Sequence, residues 1–214
     1  MPRTLVCSAL CREHPVRPID HFGLLAPFYD RIFRGLNLDR VQEWLDLPAT
    51  RLLDVGGGTG RVSGGLKGVG TIIVIDPSRA MLRAARGKNG LCLTNAHAEK
   101  IPFPDGSFDR VLVVDAFHHF CDQEQAAGEL LRVLAPGGRL VIEEPNIARW
   151  GVKLIALGER LALMGSRFFH PESMRRMFEV RGGQVTVNTD DVVNAWLVVE
   201  RAMPGPRAEM RSDL

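Results

Sequence analysis

The sequence predicts an α/β fold: a three-layer α/β/α sandwich around a seven-stranded, mostly parallel sheet that ends in an antiparallel hairpin. Three observations lead there. Short apolar runs alternate with helical patterns along most of the chain, the ordering expected of a parallel sheet covered on both faces. The first such run, Arg51-Leu-Leu-Asp-Val55, ends directly in Gly56-Gly57-Gly58-Thr59-Gly60. The last two apolar runs, near Val185 and from Val192 to Val199, are separated by little more than Thr189-Asp190-Asp191, a distance that suits a hairpin.

The elements follow in order. Residues 1–24 read as an N-terminal arm, 25–202 as one folded domain and 203–214 as a polar, fraying tail. Leu25, Phe28, Tyr29, Ile32, Phe33 and Leu36 recur at helical spacing. Asn37 is positioned to cap a second short helix with Leu38, Val41, Trp44 and Leu45 on its apolar side, and Pro48 ends it. The run 51–55 is the first strand, and a helix is expected after its glycines. Thr71–Asp76 is the second strand, and Pro77 and Ser78 open a helix through Met81, Leu82 and Ala85. Leu91–Thr94 and Asp109–Val114 are the third and fourth strands. Asp122 with Gln125 reads as a capping box for the helix carrying Leu130, Leu131, Val133 and Leu134. Pro136-Gly137-Gly138 breaks that helix before the fifth strand, Arg139–Glu143, and Pro171 opens the last helix.

Composition narrows the function. Lys+Arg 27 against Asp+Glu 25 leaves +2, too balanced for binding driven by phosphate neutralisation, so no nucleic-acid partner is expected. No apolar run reaches the length of about 18 residues that reads as a membrane span. The start of the chain lacks both the apolar core and the cleavage site of a secretory signal. Cys7, Cys11, Cys92 and Cys121 form no dense framework, and the default compartment is the cytoplasm.

In open α/β sheets ligands bind beyond the carboxyl ends of the strands, near the switch in strand order, which makes the glycine cluster the candidate site. Read bare, the cluster is equally a tight strand-to-helix turn. Asp54 stands just before it, where a buried apolar residue is otherwise expected, and can meet loop amides or a ligand amino group. Asp76 ends the second strand, where a carboxylate can take both hydroxyls of a ribose. The spacing Gly56-x-Gly58-x-Gly60 differs from the G-x-G-x-x-G of dinucleotide sites and disfavours a nicotinamide cofactor.

Four motifs in order now carry a resemblance: Leu52-Leu-Asp-Val-Gly-Gly-Gly-Thr-Gly60, Val74-Ile-Asp-Pro-Ser78 with Met81, Ala98-Glu-Lys-Ile-Pro-Phe-Pro-Asp-Gly-Ser-Phe-Asp109, and Leu131-Arg-Val-Leu-Ala-Pro-Gly-Gly138. Over roughly residues 25–145 the chain resembles the Rossmann-like class I S-adenosylmethionine-dependent methyltransferases, nearest to the ubiquinone/menaquinone-biosynthesis type (methyltransferase type 11). The resemblance implies S-adenosylmethionine as cofactor. It sets Gly56, Gly58 and the neighbouring backbone, including Thr59, toward the methionine part, Asp76 on the ribose, and Pro77 and Met81 beside the adenine. Many relatives have an Asp before the Ala-Glu pair to meet the adenine amino group; this sequence has His97 there, with Ala98 following. Tyr29 matches a tyrosine that folds over the cofactor in many relatives, or is an ordinary core aromatic. Asp115 is expected to border the cofactor through its backbone.

The cofactor's methyl sits on a sulfonium, so transfer is an in-line displacement in which the protein positions and desolvates, adding a base where the nucleophile must lose a proton. His118 and His119, in the loop after the fourth strand, are the catalytic candidates: a general base or hydrogen-bond partner, or else residues that shape the loop. No third ligand is spaced to make the pair a metal site. Asp109 reads as a turn anchor, and Glu143 and Glu144 as solvated strand-end carboxylates, one of which could instead line an acceptor pocket. The apolar segment Trp150 to Met164 suits either a packed helix or cover for a lipophilic acceptor, with peripheral contact at a bilayer surface. Cys7, Cys11 and His14 lack a fourth partner for a metal or cluster, leaving a disordered or lid-forming arm.

The reading that follows is methyl transfer to a small, apolar acceptor: carbon methylation of a quinone precursor, or oxygen or nitrogen methylation of another metabolite. The alternative from a different class is a non-catalytic S-adenosylmethionine-binding regulator or scaffold. Oligomeric state has no sequence signal.

Overall fold

The computed structural model describes residues 38–88, 90–146, 167–189 and 194–203. The expected helix at 25–36 with Tyr29, the cysteine arm, the apolar segment 150–164 and the tail beyond 203 lie outside them. The described chain runs α1 (Leu38–Leu45), β1 (Ala49–Val55), β2 (Val69–Asp76), α2 (Arg79–Ala85), β3 (Leu91–Asn95), β4 (Phe108–Val114), α3 (Gln123–Val133), β5 (Leu134–Pro145), α4 (Pro171–Glu179), β6 (Gly183–Asn188) and β7 (Asn194–Arg201). The seven strands form one sheet in the order β3-β2-β1-β4-β5-β7-β6. Strands β1 to β5 are parallel, while β7 pairs antiparallel with both β5 and β6.

The apolar runs are near-continuous because the sheet is covered on both faces. Alternate residues of each strand point to opposite sides. Leu53, Val111, Val113, Leu140 and Ile142 pack under α3 and α4, against Leu130, Met174 and Phe178. Leu52, Val74, Leu112, Val141 and Trp196 face the other way, toward Val41 and Leu45 of α1 and Leu82 of α2. At about 1.5–3 kcal/mol for each fully buried large aliphatic or aromatic side chain, these two layers are the dominant favourable term. Arg110, on β4, donates to the carbonyls of Leu45 and Asp46, and Arg139, on β5, donates to that of Trp44. Two strand arginines thus satisfy the last carbonyls of α1, which no helical turn can reach.

Three sequence expectations need correction. Helix α3 ends at Val133, so Leu134 and Pro136-Gly137-Gly138 belong to β5, which starts five residues before the expected Arg139. No full helix follows the glycine cluster; the segment before β2 holds one short 3-10 turn, Ser63–Gly65. Gly64, Gly65 and Gly68 crowd that stretch, and glycine's backbone entropy makes it a poor helix interior. The capping box at Asp122 is only half made. The Asp122 carboxylate accepts from Gln125 N at 2.9 Å, but the Gln125 amide donates to the Glu99 carbonyl, and the Asp122 amide donates to the Glu99 carboxylate.

Candidate cofactor site

The site grows from the ends of β1 and β2. The amides of Gly56 and Gly57 both donate to the Ile75 carbonyl, at 2.8 and 3.3 Å, so the chain leaves β1 still bound to β2. It then folds back over Asp54. A Cβ on Gly57 would stand 2.4 Å from Asp54 Oδ2 and 2.8 Å from Val74 Cγ1, and Gly58 sits at φ +56°. Only glycines let the backbone come this close and turn this way.

Asp76 ties this turn to α2. Its Oδ2 accepts from Gly58 N at 3.0 Å and its Oδ1 from Ser78 N at 2.7 Å. Ser78 in turn caps α2, and the Asn95 amide donates to the carbonyls of Asp76 and Pro77, both at 2.9 Å. The acidic residue is therefore rigidly aimed before any ligand arrives.

A cavity opens beyond these strand ends, at the place where the sheet order turns from β2 to β4. Asp54, Gly56, Gly58, Asp76, Pro77 and Met81 line it. His97 and Ala98, after β3, and Asp115 and His119, after β4, complete the walls. Thr59 and His118 do not line it. Thr59 is buried, and its carbonyl accepts from Lys88 Nζ at 2.7 Å. His118 is buried on the sheet side of the turn carrying His119.

Sequence reasoning missed Arg61, Val62, Glu99, Phe120 and Cys121 on the lining. Arg61 was legible as the first charged residue past the glycines; Cys121 and Phe120 carried no signal beyond their closeness to His119. Glu143 and Glu144, expected to be solvated, are both 4% exposed. The reason is topological: β7 lies alongside β5, so the end of β5 is interior, flanked on both sides. Asp109 anchors more than its own turn, accepting from the amides of Thr50 and Arg51 at 3.1 and 2.8 Å and so fixing the start of β1.

Burial sets the electrostatics. Asp54 is enclosed, and loss of solvent pushes its carboxyl up to about 6, with Asp76 adding to the shift. Its Oδ2 has no hydrogen-bond partner among the described residues. Glu143, next to the Asn194 amide, is pushed up to about 8 by burial and by Asp115. His119 is pushed down to about 3, by burial first and then by His118, so its imidazole is neutral at physiological pH.

Comparison with known proteins places this arrangement. Residues 53–142 match the model of the methyltransferase domain. The chain is 40% identical to the demethylmenaquinone methyltransferase of Thermus thermophilus, over 58% of this chain and 63% of the relative. It is 35% identical to the ubiquinone/menaquinone biosynthesis C-methyltransferase UbiE of Vibrio campbellii, over 45% of this chain and 42% of the relative. The match thus spans less than two thirds of either relative's length. Among solved structures, a chain of the complex between the Haloferax volcanii Trm112 methyltransferase activator and a methyltransferase superposes with a TM-score of 0.72 at 20% identity, covering 87% of this chain and 99% of that one. The resemblance read from the four motifs, and the sheet with its antiparallel hairpin, are borne out. Among the described residues no helix is long and apolar enough to cross a membrane.

The cavity fits S-adenosylmethionine chemically. An orphaned buried carboxylate oxygen on Asp54 suits an ammonium, and Gly58, whose Cβ position meets nothing closer than Met81 Cε at 3.7 Å, lines the cavity with open backbone. Asp76 lines the cavity with a carboxylate held by two backbone amides, a group suited to hydroxyl donors.

Proposed function

We propose that the protein binds S-adenosylmethionine in this cavity and transfers its methyl group to a small, lipophilic acceptor, with carbon methylation of a quinone precursor as the leading reaction. The observation that carries the reading is the cradle itself: an unpartnered buried Asp54 oxygen and a pre-aimed Asp76 on either side of a glycine turn, within a methyltransferase domain. The names of the curated relatives, which act in menaquinone and ubiquinone biosynthesis, support the acceptor class.

Bound S-adenosylmethionine supplies an electrophilic methyl on a sulfonium. The chain's own residues do the rest. Asp54 meets the cofactor's ammonium, a pairing that returns to this buried carboxyl the ionised state that desolvation disfavours. Arg61, on the cavity lining and close enough to act on the Asp54 charge, suits the carboxylate. Asp76 takes the ribose hydroxyls, and Pro77 and Met81 flank the adenine with Ala98, while His97, 63% exposed at its side chain, stands at the rim for the adenine edge.

Beside Gly56, Ala116, His119 and Phe120 form the wall toward the acceptor. With its imidazole held near 3, His119 is a weak proton acceptor. Its role is to orient an acceptor hydroxyl by hydrogen bonding, not to store a proton through the reaction. Apolar Ala116 and Phe120 exclude water from the path of the methyl, the condition under which orientation contributes most.

The test is to incubate the protein with methyl-labelled S-adenosylmethionine and a short-chain demethylmenaquinol, and to follow label in the quinol by mass. A methylated quinol formed in step with S-adenosylhomocysteine supports the reading. Transfer to catechols or amines but not to the quinol would move the acceptor to another metabolite. Cofactor binding with no transfer to any acceptor would favour a regulatory or scaffold role.

A further inference from the structure

The turn that carries His119 is held by a residue outside the cavity. Glu144, near the end of β5, shares the sheet face of Leu140 and Ile142 and is 4% exposed. Its Oε1 accepts from the amides of Ala116 and Phe117, at 2.9 and 2.6 Å. Its Oε2 lies 2.5 Å from His118 Nδ1. One carboxylate therefore grips three consecutive residues, 26 to 28 positions away in sequence. Two of these donors are backbone amides, which can only donate, so Oε1 is an acceptor; with an ionised carboxylate the third bond is donated by Nδ1–H.

His118 has little freedom left. Its ring stacks on Phe168 at 4.4 Å and 16°, and lies 3.9 Å from the His119 ring. Its carbonyl accepts from Arg167 N at 2.7 Å. The two ends of the same turn press on the glycine loop: a Cβ on Gly56 would stand 2.7 Å from Ala116 Cβ and 3.4 Å from the Phe120 ring. The turn from Ala116 to Phe120 is thus a shared wall, with the glycine loop on one side and Glu144 behind it.

We propose that Glu144 is a positioning residue for methyl transfer: through the amides of Ala116 and Phe117 and through His118 Nδ1–H, it fixes where His119 and Phe120 meet the acceptor relative to the glycine loop. This inference rests on the methyl-transfer reading above. Glu144 touches neither the cavity nor a reacting atom, and misplacement by about 1 Å is enough to cost on the order of a hundredfold in rate.

The experiment compares wild type with Glu144→Gln, His118→Ala and the double variant. Glutamine keeps an oxygen for both amides but turns a donor toward Nδ1, so the Nδ1–H bond is lost and His118 is left either unbonded or in the opposite tautomer, accepting at Nδ1. Expected for Glu144→Gln is an affinity for S-adenosylhomocysteine within about threefold of wild type and a kcat lower by about ten- to a hundredfold, the size of such misplacement. The double variant should be no slower than the slower single one, because both act through one bond. In spectra of nitrogen-15 histidine-labelled protein, wild type should show a far-downfield His118 Nδ1–H resonance that Glu144→Gln removes. Wild-type kcat in Glu144→Gln, equal losses of kcat and cofactor affinity, or absence of the downfield proton in wild type would each overturn the proposal. Should Glu144→Gln fail to fold, His118→Ala carries the same kinetic comparison. Failure of the methyl-transfer reading looks different: wild type would bind no S-adenosylhomocysteine and methylate nothing, while the His118 resonance would persist.

Discussion

Replacing Asp54 with asparagine separates what the buried carboxyl costs the fold from what it contributes to binding. Asparagine has the shape of the neutral acid and never ionises. In the folded protein, burial moves the carboxyl from 3.8 to about 6. At about 1.4 kcal/mol per pH unit, that is about 3 kcal/mol. The sign follows from proton counting. Between these two values the unfolded chain has lost its proton while the native state keeps it, so native stability falls as pH rises. The cost is absent below 3.8 and fully present above about 6. Glu143 and His119 titrate in both proteins and cancel in the difference. Urea unfolding followed by circular dichroism, at intervals from pH 3.5 to 8, should therefore show wild type losing about 3 kcal/mol relative to Asp54→Asn across that window. At pH 8 this corresponds to a midpoint temperature higher by about 6–12 °C in the variant. Saturating S-adenosylhomocysteine should flatten the difference in wild type, because its ammonium stabilises the carboxylate. A pH-independent difference between the two proteins would refute the assignment of Asp54 as a desolvated acid.

Three further predictions concern the surroundings of that carboxylate and the scaffold behind it. Gly57→Ala should destabilise by about 1–3 kcal/mol, since its Cβ would collide with Asp54 Oδ2 and Val74; a thermal midpoint equal to wild type would contradict the close approach. Arg132 bonds Glu129, Asp105 and the carbonyls of Ile101 and Phe103, so Arg132→Ala should lower urea-measured stability by about 1–2 kcal/mol while leaving cofactor affinity within about twofold, as expected for independent sites. A larger change in affinity than in stability would place it in the site. Because His119 is held near 3, the ratio of wild-type to His119→Asn turnover should stay constant from pH 5 to 8, and a sigmoid in that ratio would mean that the imidazole titrates during the reaction.

Much of this was readable from local pattern. The glycine loop, Asp54 and Asp76 announced themselves because each breaks a rule that its surroundings keep: a charge inside an apolar strand, and glycines where a helix was due. Those breaks are where a functional site departs from a well-patterned fold. Ser78 and Asp122 showed their helix starts for the same local reason, and both accept from the third residue beyond. What stayed hidden was set by long-range pairing. Glu143 and Glu144 read as strand-end charges until β7 is found beside β5, and no spacing in the sequence links Glu144 to a turn 26 residues earlier. Gln125 shows the same competition on a small scale: the capping pattern is present, yet the Glu99 carbonyl takes its amide. The two adjacent histidines were indistinguishable as letters. A single 3-10 turn, Phe117–His119, sends one ring to the cavity and the other to Glu144.

The most direct test of the central claim is calorimetric titration of the protein with S-adenosylhomocysteine, with Asp76→Ala alongside. Asp76 anchors the glycine turn through Gly58 and α2 through Ser78, and the ribose would share the same oxygens. Loss of two or more charge-assisted bonds, at about 1.5–3 kcal/mol each, predicts that micromolar binding weakens by at least about a hundredfold in the variant. Folded wild-type protein that binds no S-adenosylhomocysteine, or an Asp76→Ala variant that binds it as tightly as wild type, would contradict the assignment of this cavity as the cofactor site.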